Sequence, residues 1–237
     1  MVRLSGIILS VIFLLYGCSG GESDLLPGFG TSDRRSVEKL NPMELAGWQL
    51  VGKGEVKVDE EQNGLILTEG ADSKGITLVS RKSYSRNVVV SFDVEPKSYE
   101  GINFVFLSAS DKVTQGELKV PDDHEGNMEF WTDERVQNYI FAFHNGFYDS
   151  KPFIKKNPGL TDIARSNKLV SGKDSFSVEI GRKGRRLWIK VDGKMVVRGR
   201  DKARGGLPGG KVCFRLRGPG AGSYSCLFKN VVIRENY

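Results

Sequence analysis

His144, Asn145 and Tyr148 open the stretch HNGFYDSKPFIKKNPG, which also carries Lys155, Lys156 and Asn157. A neutral imidazole of ordinary pKa can take up a proton near neutral pH. Basic and amide groups can offset the charge of a neighbouring carboxylate. This combination suits elimination on a uronic-acid polymer. His144 or Tyr148 would move the C5 proton, with Asn145 beside them and Lys155, Lys156 and the distant Arg215 as charge partners for the carboxylate; Asn157 is a further binding candidate. The competing reading of His144 is a structural histidine at a strand end, bonded to a loop carbonyl.

A second group of acids lies just upstream in HEGNMEFWTDER. Read as a strand, Glu129 and Asp133 share one face, roughly 13 Å apart along an extended chain. A retaining glycosidase needs its two carboxyl groups about 5 Å apart. This strand alone supplies no such pair, and Glu129 stands as a single acid or base candidate. His124 sits in the polar run PDDHEGN and is expected to be exposed. Two histidines without a spare cysteine pair give no zinc spacing, so no metal or other cofactor is expected. A structural calcium on loop carboxylates such as Asp122 or Asp123 stays compatible, with no motif to locate it. No GxxxxGK[ST] phosphate loop occurs, and the GxSxG match at Gly17–Gly21 follows the apolar N-terminal run rather than a strand, so it is no nucleophile elbow.

The elements that must position these groups read as strands. Short apolar runs of period two recur from GLILT through VVVSFDVEP, INFVFLSA, MEFWT and YIFAFH to RLWIKVDGKMVVR, KVCFRLR and CLFKNVVIRE. Asp-Gly in VDGK predicts a tight hairpin turn. PMELAGW allows one helical turn; longer helices are not expected. The pattern predicts an all-β fold, a two-sheet antiparallel β-sandwich or jelly roll, as one domain over 39–237. Alternation places Leu187, Ile189 and Val191, then Val212, Phe214 and Leu216, then Tyr139, Phe141 and Phe143, toward the core. Trp131, His144, Trp188, Lys190, Cys213 and Arg215 then face outward. Aromatic rings, charges and amides on one face suit stacking and hydrogen bonding to a sugar. Each tryptophan has a plainer reading, half-buried beneath a loop.

The first residues set the compartment. Arg3 precedes the apolar run GIILSVIFLLY, too short to span a bilayer. Leu15-Tyr16-Gly17-Cys18 closes it, resembling a bacterial lipobox. Residues 1–17 are therefore expected to be a cleaved signal peptide. Cys18 becomes the lipidated terminus, and 18–38, rich in Gly, Ser and Asp, a tether. Ser19 rather than Asp after the cysteine points to the outer membrane of the envelope. In that oxidising compartment Cys213 and Cys226 are expected nearly opposite each other on a hairpin, in disulfide geometry. Two independent thiols are the alternative. The net charge is +6, with the excess in KPFIKK, GRKGRR, RGRDKAR and FRLR. Outside the inner membrane such a surface suits an acidic polysaccharide better than nucleic acid; a merely solvated basic face is the other reading. A monomer is expected.

The order of these runs, with the opening Gly47-Trp48 strand, the VDGK hairpin, the closing FKNVVIRE and the segment from His144 to Gly159, resembles the YesU-like group of concanavalin A-like lectin/glucanase jelly rolls. That resemblance implies a concave sheet face as carbohydrate site but no reaction, and the ExDxxE strand of the retaining glucanases is missing. Two function classes stay open. One is an envelope lipoprotein that binds or cleaves a polysaccharide, by lyase or hydrolase chemistry. The other is a non-catalytic structural or protein-interaction lipoprotein.

Overall fold

The computed structural model describes residues 35–97, 100–114, 117–121, 123–145 (the side chain of Asn145 excepted), 151–170, 173–219 and 224–237. The expected signal peptide, Cys18, Asp122 and Tyr148 lie outside them.

The chain enters through β1 (Ser36–Leu40), three residues ahead of the expected domain start, and α1 (Pro42–Ala46). That single turn is closed by a capping box. Asn41 accepts from the Glu44 amide, and Glu44 accepts from the Asn41 amide. Then come β2 (Gln49–Val51), β3 (Gly54–Asp59), β4 (Gly64–Glu69), β5 (Ile76–Val79), β6 (Val88–Pro96), β7 (Ile102–Asp111) and α2 (Met128–Thr132). The remainder is strand: β8 (Val136–Asn145), β9 (Phe153–Asn157), β10 (Thr161–Arg165), β11 (Phe176–Lys183), β12 (Arg186–Val191), β13 (Lys194–Arg200), β14 (Lys211–Arg217) and β15 (Ser225–Glu235).

These form the expected two-sheet antiparallel sandwich. One sheet runs β13-β12-β11-β6-β15-β4-β3, with β1 also on β15; the other runs β10-β9-β8-β7-β14-β5-β2. Asp192 and Gly193, at φ 50° and 73°, make the expected primed turn between β12 and β13. The main core lies between the sheets. Phe92 from the first sheet stands at its centre, with ring centroids 5.1 Å from Phe214 and 5.7 Å from Phe143 of the second, and 5.8 Å from Phe228. The inward residues predicted on β8, β12 and β14 all join this core.

A second core forms on the outer face of the seven-stranded sheet. Val79, Phe106, Ile140 and Cys213 are roofed there by Leu118, Val120 and Trp131 from the connection between β7 and β8. Three expectations fail here. MEFWT is not a strand: Asn127 accepts from the Phe130 amide and starts a helical turn. Trp131, expected to face outward, is instead 0% exposed, 4.9 Å from Phe106. Cys213 and Cys226 do not pair, because Cys213 points to the outer face of the seven-stranded sheet and Cys226 into the core between the sheets. Both thiols are free and buried, Cys213 under the roof and Cys226 in the main core.

Candidate functional site

One register row crosses the outer face of the entire seven-stranded sheet. It runs Val51, Thr77, Arg215, Phe104, Ala142, Phe153, Arg165, each directly opposite the next. Directly opposed residues on one face come close enough for their side chains to interact. The row changes character along its length. At one end Arg215 is sealed beneath the roof and donates to Thr77 Oγ1 (3.2 Å) and to the carbonyls of Gly126 (2.6 Å) and Lys74 (3.0 Å). It pins the roof rather than facing a ligand. At the other end Phe104 and Phe153 are only half-buried. Ala142 between them is too small to fill the gap, so the two rings wall a trough with centroids 6.4 Å apart.

The trough is cationic at its rim. Lys155 Nζ lies 5.7 Å and the Arg165 guanidinium 5.1 Å from the Phe153 ring centre. Both also approach Asp162, at 3.6 and 3.7 Å. Arg165 is in turn the first wall of a cleft of about 530 Å³ between the segment 165–170 and the β12–β13 hairpin. Phe176, Val191 and Val197 line it, with Leu169 and Met195 exposed at 43% and 49%. Lys168, Lys173, Lys194 and Arg198 add positive charge. Asp192 is the one acid of the cleft, and Lys173 neutralises it at 2.5 Å. Among the described residues no carboxylate is ion-paired with Lys168, Lys194 or Arg198.

The other residues singled out in the sequence do not converge on this trough. His144 is turned into the sandwich, 3% exposed, because the β7–β8 pairing slips between Asn103 and Phe104 and reverses the alternation. Its Nδ1 lies 3.4 Å from Asn103 Nδ2, which donates to the Tyr224 hydroxyl at 2.7 Å, and Cys226 donates to Asn103 Oδ1. Burial lowers the His144 pKa, partly countered by a bond to the Gly101 backbone. This is the structural alternative, and the role as an exposed proton-abstracting base loses its geometry. Asn157 is 0% exposed and donates to the carbonyls of Val136 (2.6 Å) and Asp133 (2.8 Å), so it ties down the roof instead of binding substrate. Lys156 points to the sandwich interior and pairs with Asp201 at 2.9 Å.

Trp188 and Lys190 do face outward, but from the opposite sheet, and both are held by Glu179, at 2.9 and 2.8 Å. Glu129 is exposed on α2, beside His124 and Phe130 in a separate groove. Asn145 ends β8, next to the segment that carries Tyr148. Of the predicted binding residues, Lys155, Asn157 and Arg215 share the row's face, and of these Lys155 alone lies at the open trough. Phe104, Phe153, Arg165, Lys194 and Arg198 were not anticipated. The correct inward assignment of Phe141 and Phe143 already turned Ala142 outward, which was the available signal. Among the described residues no three His, Cys, Asp or Glu side chains stand close enough to hold a metal ion.

The two half-buried phenyl faces and their cationic rim lie on the outer side of one sheet of a sandwich that solved structures share. A protein of unknown function with galectin-like fold from Bacillus subtilis superposes with TM-score 0.69, at 13% identity, over 85% of this chain and 94% of its own. The fold is a galectin-like, concanavalin A-like jelly roll. The same jelly roll relates it to a prokaryotic β-1,3-1,4-glucanase (lichenase) derived from a mouse hindgut metagenome, TM-score 0.56, 12% identity, 86% and 99% covered. It also relates it to the carbohydrate-binding module CBM66 from Bacillus subtilis, TM-score 0.51, 16% identity, 78% and 93% covered. No protein-family model and no curated protein matches the chain. At these identities the jelly roll alone is shared.

Proposed function

We propose that this jelly roll is a carbohydrate-binding lipoprotein of the bacterial envelope, anchored through Cys18 to the outer membrane, that holds an acidic polysaccharide along the Phe104–Phe153 trough and the adjoining cleft. The observation that carries this reading is the continuity through Arg165: an aromatic trough on one side, and on the other a cleft whose cations outnumber its single, already neutralised acid. Phenyl faces offer apolar contact area to the faces of sugar rings. Lys168, Lys194 and Arg198 supply charge for uronate or sulfate groups. The structural relatives that act on or bind carbohydrate support the substrate class.

Binding is favoured over hydrolysis by the acids within reach: those at the trough and the cleft are Asp162 and Asp192, each ion-paired with neighbouring cations. A retaining glycosidase instead needs two carboxyl groups about 5 Å apart. A glycan array of acidic and neutral polymers, run beside reducing-end and unsaturated-uronate assays, tests this. Acidic polymers retained without product are the expected outcome. Release of product would establish an enzyme, and no retention of any glycan would favour the protein-interaction alternative.

A further inference from the structure

At the far end of the eight-stranded sheet three cations stand in one register row on adjacent strands. Lys183 of β11 is directly opposite Arg186 of β12, which is directly opposite Arg200 of β13. Like charges placed directly opposite each other destabilise a sheet. The neighbouring positions add to the charge instead of cancelling it. Arg86 and Arg185 complete the wall of a pocket of about 310 Å³ that contains no acidic residue. Main-chain oxygens hold the cations in place: Arg86 donates to Gly205 (3.2 Å), Arg185 to Ala203 (3.4 Å) and Lys183 to Tyr237 (2.7 Å). Among the described residues none of Arg86, Arg185, Arg186 and Arg200 is ion-paired with a carboxylate.

The position of this pocket is informative. Ser36, the first residue of β1, pairs with Glu235 at the end of β15, and its hydroxyl donates to that carboxylate at 3.1 Å. The next residue, Asn236, donates to the Asn87 carbonyl (2.9 Å), and the Gly184 amide donates to Asn87 Oδ1 (2.8 Å). A short run of backbone and side-chain hydrogen bonds therefore joins the entry of the chain from its N-terminal segment to the Gly184–Arg185 turn in the pocket wall. The β12–β13 turn that borders the sugar cleft is at the opposite end of β12, roughly 17 Å away for a strand of this length.

We infer that this pocket is a membrane-facing site that takes the phosphate groups of anionic phospholipids, and so turns the trough and cleft away from the bilayer. The inference rests on the proposed anchoring of the chain through Cys18. An acyl anchor becomes a stable attachment when a basic patch supplies a second contact, and basic residues near an anionic surface each add to that attraction. The row Lys183–Arg186–Arg200 is then a charge arrangement whose internal repulsion is relieved by the lipid phosphates.

The test uses the full chain in vesicles of phosphatidylcholine, alone or with phosphatidylglycerol, and reads the modification rate of individual arginines and lysines by mass spectrometry. Phosphatidylglycerol is expected to slow modification of Arg185, Arg186 and Lys183 several-fold while Lys194, at the β12–β13 turn, stays unchanged. Equal rates in both vesicles, or equal protection at both ends, would overturn the inference. So would comparable protection by inorganic phosphate or polygalacturonate in phosphatidylcholine vesicles, which would mark a soluble-anion or glycan site. Arg186→Glu is expected to raise the thermal midpoint, by ending the like-charge row, and yet to abolish selectivity for phosphatidylglycerol. Retained selectivity in that variant would also count against the pocket. Acylation of Cys18 is read separately from the mass of the N-terminal peptide. A chain without acyl groups is mixed with the same vesicles and is still required to prefer phosphatidylglycerol.

Discussion

Phe104 and Phe153 meet edge to face across Ala142, their ring planes 60° apart. Neither ring is needed to close the main core; both only border the second one. Replacing Phe153 by Ala is therefore expected to weaken binding of an acidic polysaccharide about tenfold, a loss near 1.4 kcal/mol, while the thermal midpoint stays close to that of the parent. Calorimetric titration and a melting curve on the same sample check both halves.

The cleft cations act at longer range. Charge reversal at Lys194 and Arg198 together is expected to weaken binding further and to flatten its dependence on salt, because exposed charges are screened over about 10 Å at 0.1 M ionic strength. Affinity electrophoresis at low and high salt reads this out. A salt dependence equal to the parent's would place the polymer elsewhere.

The thiols give a test of the topology. Burial pushes Cys213 far up and Cys226 up to about 12. Neither is expected to react with a thiol reagent in the native protein. In denaturant, both are expected to titrate without any reductant, since the two thiols are free and point into different cores. A gain of two thiols only after reduction would contradict this arrangement.

Asp201 predicts an acid limb to stability. Burial pushes its carboxyl up, but hydrogen bonds from Tyr139 (2.7 Å) and Lys156 (2.9 Å) outweigh that and leave it below the usual value. A folded pKa below the unfolded one, about 3.9, contributes stability that is present above that value. The contribution is lost as pH falls through the folded pKa. Asp201→Asn, which leaves Lys156 without its partner, is expected to cost about 3 kcal/mol at neutral pH. The gap between variant and parent should close as melting is followed below about pH 4.

Much of this architecture is legible in the chain itself, and the exceptions have physical causes. Strict alternation over β12 and β14 assigns Leu187, Ile189, Phe214 and Leu216 inward correctly, because the irregularities in their ladders put the extra residue on the partner strands, β13 and β7. His144 is misplaced by the slip in the β7–β8 ladder, which period two cannot anticipate. In MEFWT the apolar residues fit one helical turn as well as a strand, and the Asn127 cap decides it. Cys213 and Cys226 are near in sequence, yet the connection between them changes sheets, which no local turn signal encodes. Phe104 escapes notice because both faces of β7 are apolar, one for each core. Phe153 and Arg165 become meaningful only when β9 and β10 bring them into line with Phe104.

The account turns on whether one acidic polymer spans the trough and the cleft. Isothermal titration of the parent, of Phe153→Ala and of Lys194→Glu/Arg198→Glu with polygalacturonate, and with a neutral β-glucan as control, addresses that directly. Salt-sensitive binding of polygalacturonate that both variants weaken, with little heat from the neutral polymer, is the predicted result. Equal affinity in all three proteins, or a preference for the neutral glucan, would contradict it.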